Sequence, residues 1–264
     1  MRNNARFVAV QWNIGGGLTR ATNSDNTLDE SYNIDDLGYV IQKLKQLDPD
    51  VMTLQEIHGD NNYNQASIIA KALGCEYLTC QMLSPSHLNE NYNLGVAIIS
   101  RFPMQNLCQG LFKNPKLSIS RPNGSIWKTH DKGFVSSTIS INNIPVEVFS
   151  TQLMPLHRFE QSVDSEVAKV VYRDIDTKLR PREGAYLIGG DFNIDLERIA
   201  DYFPQISAHG EEVEQSAPTF ANGKRYDHVL FGGIQLISSR VDDDVLTDHY
   251  PIISQFELEK ENHE

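Results

Sequence analysis

Residues 6–14 read RFVAVQWNI, and in this stretch small or apolar side chains alternate with polar ones. Such alternation predicts a half-buried strand, and the three glycines at 15–17 predict a loop directly after it. Residues 34–47 then place apolar side chains at helical spacing, and a second strand, DVMTLQEI, follows at 50–57. The order strand, loop, helix, strand indicates a layered α/β fold.

The remainder of the chain continues this pattern. Further strands are predicted at 94–100, 134–141, 144–152, 226–231 and 252–258, and AYLIGGDFN at 185–193 reads as a buried strand that runs into a loop. Helices are predicted at 65–73 and 163–179, with a helical segment at 196–202. The Asn142 and Asn143 pair indicates a hairpin, because asparagine tolerates positive φ. No stretch rich in Pro, Ser or Gly divides the chain, so we expect a single domain over 1–264.

Composition places the chain among ordinary globular proteins, with 40% hydrophobic and 22% charged residues. No apolar run approaches the roughly 20 residues that a membrane helix requires, so no membrane span is predicted. The three cysteines are odd in number and lack zinc-ligand spacing, which favours a reducing, cytoplasmic location. The oligomeric state stays open at this point.

Charge gives two opposing indications about partners. The formal net charge of −12 argues against broad electrostatic binding to nucleic acid. The segment 113–132, however, carries five Lys or Arg residues against one Asp, so we predict that it contacts an anionic ligand. Within it, Lys132 and Trp127 are candidate substrate contacts, Trp127 by stacking on a base. Arg225, two residues before Asp227, is a third candidate, and a purely structural role remains the alternative for each.

Polar side chains lie at or just beyond the ends of the predicted strands. Loops at one edge of a sheet gather residues that are distant in sequence, so we expect these side chains to form one site. They are Asn13, Glu56, Gln152, Asp191, Asn193, Asp227, Asp248 and His249.

Carboxylates in this set suit a hard divalent cation. Mg²⁺ takes oxygen ligands and keeps several waters, so one or two carboxylates with an amide oxygen suffice. Glu56 and Asp248, assisted by Asn13, are the predicted ligands for Mg²⁺, with Mn²⁺ as a substitute. A cation held there would neutralise charge on a phosphoryl oxygen.

The other polar residues suit proton transfer and charge stabilisation at a phosphate. Asp191 follows two glycines and is the preferred general base, while Asn193 can donate a hydrogen bond to the attacking water or to the phosphate. His249 can stabilise the transition state if it is protonated. Asp227 could hold its tautomer and raise its pKa.

The ordered blocks QWNIGG, LQEIHG, LGVAIISRFP, FSTQLMP, GGDFNID, RYDHVLF and LTDHYPI resemble the endonuclease/exonuclease/phosphatase superfamily. The resemblance covers almost the whole chain. It implies a four-layer α/β/β/α sandwich of two mixed sheets flanked by helices. It also implies that the metal-ligand and catalytic positions named above match the functional positions of the family.

Two positions depart from the family pattern. Gln152 stands where many members carry His in a block like NTHL, and Gln can hydrogen-bond a phosphoryl oxygen but carries no charge. Abasic-site nucleases of the superfamily use Tyr there, so the departure is compatible with catalysis; an inactivating change at this position is the alternative. Gly15 replaces an Asp that repair nucleases tend to carry. His157, five residues after Gln152, is a further candidate imidazole, with a structural role as its alternative.

Three functional hypotheses follow. The leading one is a divalent-metal-dependent phosphodiester hydrolase, a nuclease that acts on DNA or RNA by in-line attack of an activated water. The second is a phosphatase or phosphodiesterase on small nucleotides or lipid headgroups, which a weak salt dependence would favour. The third is a catalytically inactive binding protein with the same fold, which metal-dependent hydrolysis of any phosphoester would exclude.

Overall fold

Two six-stranded sheets dominate the computed structural model, which describes residues 5–21, 31–60, 62–121 and 124–258. In these residues the strands are β1 (Ala5–Asn13), β2 (Leu18–Thr19), β3 (Ile34–Asp35), β4 (Val51–Gly59), β5 (Tyr77–Pro85), β6 (Asn93–Ser100), β7 (Met104–Leu111), β8 (Ser118–Ser120), β9 (Ile126–Lys128), β10 (Gly133–Ile141), β11 (Ile144–Gln152), β12 (Ala185–Asp191), β13 (Glu211–Glu212), β14 (Asp227–Gly232), β15 (Gln235–Val241) and β16 (Ile252–Leu258). The helices are α1 (Leu37–Leu47), α2 (Gln65–Leu73) and α3 (Glu166–Lys178). Short 3₁₀ turns lie at Gly15–Gly17, Leu156–Phe159, Ala200–Tyr202 and Ser207–His209.

Each large sheet contains both parallel and antiparallel pairs. The first has the order β15-β16-β1-β4-β6-β5 and the second the order β13-β14-β12-β11-β10-β7. The pairs β1 with β4 and β11 with β12 are parallel, and the others are antiparallel. The carboxyl ends of parallel neighbours meet at one edge, which brings the ends of β1 and β4 together and the ends of β11 and β12 together. Two hairpin-like pairs, β2 with β3 and β8 with β9, stand apart from these sheets.

Three apolar clusters separate four layers. Phe7 and Phe256 of the first sheet pack against residues such as Val148 of the second sheet in the central cluster. Leu44 of α1 belongs to a cluster on the outer face of the first sheet. Ile175 of α3 belongs to a cluster on the outer face of the second sheet. The α/β/β/α sandwich that the resemblance implied is therefore confirmed.

The helices begin and end at capping residues. Asp36 caps α1 by accepting a hydrogen bond from the Tyr39 amide, so the helix begins three residues later than predicted. Asn64 caps α2, and Gly74 ends it with a left-handed φ of 68°. None of the helices in the described residues is long and apolar enough to cross a membrane.

The predicted helical segment at 196–202 is wrong except for the 3₁₀ turn at Ala200–Tyr202. The Glu212 carboxylate accepts hydrogen bonds from the backbone amides of Ile199 and Ala200, at 2.9 and 3.0 Å. Those amides are held by a side chain from a distant strand, and the segment forms an irregular connection instead of a helix.

Gly189 and Gly190, the two glycines before Asp191, lie inside β12. A Cβ atom at Gly189 would lie 2.2 Å from Thr53 Oγ1 of β4, which belongs to the opposite sheet. A Cβ atom at Gly190 would lie 2.4 Å from Thr151 Cγ2 of the neighbouring strand. Glycine is required at 189 because the two sheets approach each other closely there, and at 190 because the neighbouring strand leaves no room for a side chain.

Candidate active site

Residues from both sheets meet at one edge of the sandwich. Across the second sheet, Gln152 at the end of β11 pairs with Asp191 of β12, and Asp191 pairs with Asp227 of β14. From the first sheet, Asn13 at the end of β1 donates from Nδ2 to Asp191 Oδ2 at 3.1 Å. The predicted convergence of strand ends is therefore present in the structure.

A cavity of about 300 Å³ opens over this edge. The predicted residues that line it are Glu56, Trp127, Lys132, Gln152, Asp191, Asn193, Asp248 and His249. Asn13 and Asp227 are fully buried and lie behind this lining, where they hydrogen-bond to Asp191 and His249. Arg225 is not part of the lining, and its backbone amide donates to Asp195 Oδ1 at 3.1 Å.

Glu56 is directed by an irregularity of β4. The pairing of β4 with β6 shifts register between Gln55 and Ile57, and Glu56 has a left-handed φ of 54°. Such a bulge re-aims a side chain, here so that Glu56 Oε1 accepts from Gln152 Nε2 at 2.6 Å. Burial alone would raise the pKa of Glu56, but the positive charges of His87, Lys132 and His249 lower it to about 2.

Asp191 is surrounded by amide donors. Its Oδ1 accepts from the Asn193 backbone amide at 3.0 Å, and its Oδ2 accepts from the side chains of Asn193, Asn13 and Gln152 at 3.0, 3.1 and 3.3 Å. Asn193 reaches it because its own φ of 53° turns the chain back toward the carboxylate. Burial, reinforced by the nearby carboxylates of Asp227 and Glu56, nevertheless raises the pKa of Asp191 to about 6. A carboxylate with these properties can take a proton from water.

His249 is held as a cation by Asp227. The Nδ1 atom of His249 lies 2.7 Å from Asp227 Oδ2, and both side chains are buried. Burial lowers the pKa of the imidazole, but the carboxylates of Asp227, Asp248 and Asp191 outweigh that effect and raise it to about 10. The ring is therefore protonated near neutral pH, and its Nε2 lies 3.4 Å from the Asn13 amide nitrogen.

Three residues that sequence reasoning missed fix this pair in place. Gln11 Nε2 donates to the second oxygen of Asp227 at 2.7 Å. The Trp12 indole donates to the His249 carbonyl at 3.1 Å, and the Phe220 ring meets the imidazole edge-on with centroids 4.6 Å apart. Alternation along β1 places Gln11 on the same face as Asn13, which was the available signal for Gln11.

The donor set at the cavity fits a hard divalent cation. Glu56 and Asp248 face the same cavity, and burial together with repulsion by Glu56 raises the pKa of Asp248. Asn13 Oδ1 accepts from the Gly15 amide at 3.0 Å and keeps one lone pair. In the described ranges no three His, Cys, Asp or Glu side chains converge closely enough to hold a metal ion between them. Two carboxylates and water are the arrangement that Mg²⁺ commonly uses.

Lys132 lies against Gln152, the residue that replaces the family histidine. Its Nζ donates to Gln152 Oε1 at 2.6 Å, while the amide nitrogen of Gln152 faces Glu56 and Asp191. Burial lowers the pKa of Lys132, and the two carboxylates oppose that shift. Lys132, predicted as a substrate contact, lines the cavity although only 6% of the residue is exposed.

A further part of the cavity wall is cationic and aromatic. It contains Arg121 and Lys128 of the basic segment 113–132, and also residues that the sequence had not singled out, namely His87, His130, Arg158 and Tyr226. Trp127 of β9 belongs to this wall and stacks on Phe159 with centroids 5.7 Å apart. These residues come from loops and from the β8-β9 pair, whose positions carry no strand-end signal.

Two other histidines that flank the site have structural surroundings. His157 stacks on Tyr226 with ring centroids 5.1 Å apart and an interplanar angle of 11°. It is not part of the cavity lining. His228, next to Asp227, points to the opposite side of β14 and contacts Glu212 at 2.7 Å.

Comparison with known proteins identifies a family. The model of the Endonuclease/Exonuclease/phosphatase family matches residues 10–249. A UPF0294 protein of Vibrio cholerae is 33% identical over 86 residues, which are 31% of this chain and 31% of that protein. The aligned part of this chain thus spans about a third of the length of that curated relative.

Solved structures with similar folds include three enzymes or enzyme-family proteins. An endonuclease/exonuclease/phosphatase from Beutenbergia cavernae has a TM-score of 0.69 at 16% identity, over 97% of this chain and 72% of that chain. The human Nocturnin catalytic domain with bound sulfate has a TM-score of 0.65 at 14% identity, over 97% of this chain and 96% of that chain. The mannosyl-6-phosphatase of Bacteroides thetaiotaomicron has a TM-score of 0.57 at 12% identity, over 95% of this chain and 99% of that chain. At these identities the likeness establishes the fold alone.

Proposed function

The chain belongs to the endonuclease/exonuclease/phosphatase family of hydrolytic phosphoesterases, and we propose that it is a divalent-metal-dependent nuclease that hydrolyses phosphodiesters of DNA or RNA. One observation carries this proposal. The Asn13 amide nitrogen lies 3.1 Å from Asp191 Oδ2 and 3.4 Å from His249 Nε2. The side-chain amide of Asn13 therefore lies between Asp191, a proton acceptor, and the protonated imidazole of His249, and both of these residues line the same cavity.

In the proposed reaction Asp191 accepts a proton from the attacking water. Its raised pKa makes the carboxylate a stronger base than a solvent-exposed Asp. Asn193 positions this carboxylate through two hydrogen bonds. The water then attacks phosphorus in line with the leaving oxygen, which departs on the opposite side.

Positive charge on the protein stabilises the phosphorane-like state. His249, kept protonated and oriented by Asp227, donates from Nε2 toward a phosphoryl oxygen. Gln152 and Lys132 act together at the position of the family histidine, with the amide supplying geometry and the ammonium supplying charge. This pairing favours an active enzyme over an inactive binding protein.

Glu56 and Asp248, with Asn13, would hold Mg²⁺ or Mn²⁺. Such a cation would neutralise charge on the phosphoryl oxygens. Without a cation Glu56 would repel a phosphate, because its pKa is lowered to about 2 and its side chain is ionised.

Substrate size separates the leading proposal from its alternative. The cationic wall with Arg121, Lys128 and Arg158 favours a polyanion. The cavity of about 300 Å³ favours the second candidate, a phosphatase or phosphodiesterase on small nucleotides or lipid headgroups. A mannosyl-6-phosphatase has a similar fold, so this fold also occurs in a phosphatase that acts on a small substrate.

We also propose a cytoplasmic location. All three cysteines are free, with Cys75 buried and Cys108 exposed. Exposed thiols persist in reducing compartments.

The experiment that tests the function is hydrolysis of a substrate panel with Mg²⁺, Mn²⁺ or EDTA. The panel contains bis-p-nitrophenyl phosphate, single- and double-stranded DNA, RNA, an abasic duplex and a phospholipid headgroup. We expect chelator-sensitive cleavage of a polynucleotide, and loss of roughly 10³-fold in kcat in Asp191→Asn. The matched control is Asp195→Asn, because Asp195 is in the same loop but outside the cavity. Normal turnover in Asp191→Asn, or hydrolysis unaffected by EDTA, would refute the proposal.

A further inference from the structure

The cationic wall of the cavity contains two guanidinium groups packed on one indole. The Arg121 guanidinium lies 4.5 Å from the centroid of Trp127, and that of Arg158 lies 5.5 Å from it. Phe159 stacks on the same indole. Such packing orders both guanidinium groups, and the contact with the indole uses none of the N–H donors of Arg121, because a cation–π contact is not a hydrogen bond.

Among the residues that the structure describes, two cations of this wall have no acidic partner. In the described part of the chain no carboxylate lies within ion-pair distance of Arg121 or Lys128, whereas Arg6, Arg101 and Lys224 each contact one. The protein as a whole carries a net charge of −12, so acidic groups are abundant elsewhere. Cations that repel one another beside a cavity are stabilised by a bound anion.

The wall lines the same cavity as the carboxylates of the proposed catalytic centre. Glu56, Asp191 and Asp248 line this cavity together with Lys132 and His249, and Arg121, Lys128 and Arg158 line it as well. The cavity therefore contains further cations besides the two that accompany the carboxylates. A ligand that fills it places one group at the carboxylates, where a cation would mediate, and another at the guanidinium groups.

We propose that Arg121, Lys128 and Arg158 form a second anion subsite, which binds a phosphate group attached to the substrate but separate from the scissile phosphoester. This inference rests on the proposed function for the position of the scissile group. The preferred substrate is accordingly a phosphoester with at least one additional phosphate. That phosphate belongs either to the next nucleotide of a nucleic acid or to a small bisphosphate.

Equilibrium titration tests the subsite without requiring turnover. The ligands are thymidine 5′-monophosphate, thymidine 3′,5′-bisphosphate and fructose 1,6-bisphosphate, each with Mg²⁺ present. We expect the thymidine bisphosphate to bind about tenfold more tightly than the monophosphate. Equal binding of fructose bisphosphate would identify any second phosphate as sufficient, whereas preference for the nucleotide would identify nucleic acid as the source.

Variants locate the preference on the protein. Arg121→Gln should abolish the tenfold preference, and Trp127→Leu, which keeps both charges, should reduce it to about threefold. Arg173→Gln, an equal charge change on the exposed side of α3 outside the cavity, should leave it intact. A preference that survives in Arg121→Gln, or its absence in the wild-type protein, overturns the subsite.

Hydrolysis of the dinucleotide TpT and its 5′-phosphorylated form separates this inference from the proposed function. Wild-type cleavage of both at equal kcat/KM means that the nuclease function stands and the subsite fails. An Arg121-dependent binding preference without cleavage of any panel substrate means that the subsite stands and the nuclease function fails.

Discussion

Two histidine–carboxylate pairs lie on opposite sides of β14, and their contacts at Nδ1 are the same length. His249 meets Asp227 at 2.7 Å on the cavity side, and His228 meets Glu212 at 2.7 Å on the other side. They differ at Nε2. That atom of His228 lies 3.1 Å from the carbonyl oxygens of Ile194 and Arg225, whereas that of His249 lies 3.4 Å from the buried Asn13 amide nitrogen, and His249 lines the cavity.

This difference separates a structural histidine from a reactive one. Both ring nitrogens of His228 face acceptors within the protein. Their hydrogen bonds join β14 to the loop that follows β12, and neither nitrogen is left to bind a substrate. Glu212 strengthens that junction because its carboxylate also accepts hydrogen bonds from the backbone amides of Ile199 and Ala200. The Nε2 proton of His249 has no protein acceptor among the contacts of the described residues, and so it is available to a substrate oxygen.

The largest effect that we expect comes from Asp227→Asn. The substitution keeps the shape of the pair but removes the negative charge that keeps His249 protonated. We therefore expect kcat to fall by roughly 10³-fold or more. The free energy of unfolding, measured by denaturant titration, should change little by comparison. A decrease in kcat of less than about tenfold would show that His249 does not act as a cation.

Glu212→Gln tests the other pair. It leaves an amide group where the carboxylate accepts two backbone N–H groups, so we expect a loss of roughly 3 kcal/mol in the free energy of unfolding. Turnover per folded molecule should stay within about twofold of the wild-type value. A selective loss of kcat in a fully folded Glu212→Gln protein would contradict the structural assignment.

Lys132→Met asks whether the cavity needs a second cation besides His249. The substitution removes the Lys132 ammonium group that donates to Gln152. We expect kcat/KM to fall by roughly 30-fold, as is typical of losing a charge-assisted hydrogen bond. Gln152→His combined with Lys132→Met restores a cationic side chain at the family position and should recover part of the loss. A double variant no better than Lys132→Met would mean that Lys132 acts independently of Gln152.

Gln11→Leu gives the smallest expected effect. It removes one of the two hydrogen bonds to the Asp227 carboxylate but preserves the contact with His249, so kcat should fall by roughly fivefold. The matched variant Gln55→Leu alters a buried Gln on the neighbouring strand whose amide donates to Ser150. It should leave kcat unchanged, and equal losses in the two variants would indicate a general packing effect.

Strand ends could be predicted from sequence because alternation and glycines mark where a strand stops. Asn13, Gln152 and Asp191 were located in this way, and β16 was bounded to the residue. Edge strands β7 and β15 were missed because their mostly exposed faces carry no apolar alternation. The direction of Glu56 depends on a bulge set by pairing with β6, which no local pattern reveals.

Side-chain partners were harder to predict than positions. Lys132 occurs in a basic segment, and only the fold shows that it is buried against Gln152. Arg225 is two residues from Asp227, but its backbone forms hydrogen bonds with the side chains of Asp195 and His228. It is not part of the cavity lining. Proximity along the chain is a weak indicator where the backbone changes direction before a strand.

The absence of a side chain at Gly189 determines the width of the catalytic gap. Asn13 and Glu56 belong to one sheet, while Gln152, Asp191 and Asp227 belong to the other, so the separation of the sheets is also the separation of the reacting groups. A single methyl group at Gly189 would meet Thr53 at 2.2 Å and push these groups apart. Selection for activity from a library randomised at this position should therefore recover glycine, even where larger residues still permit folding.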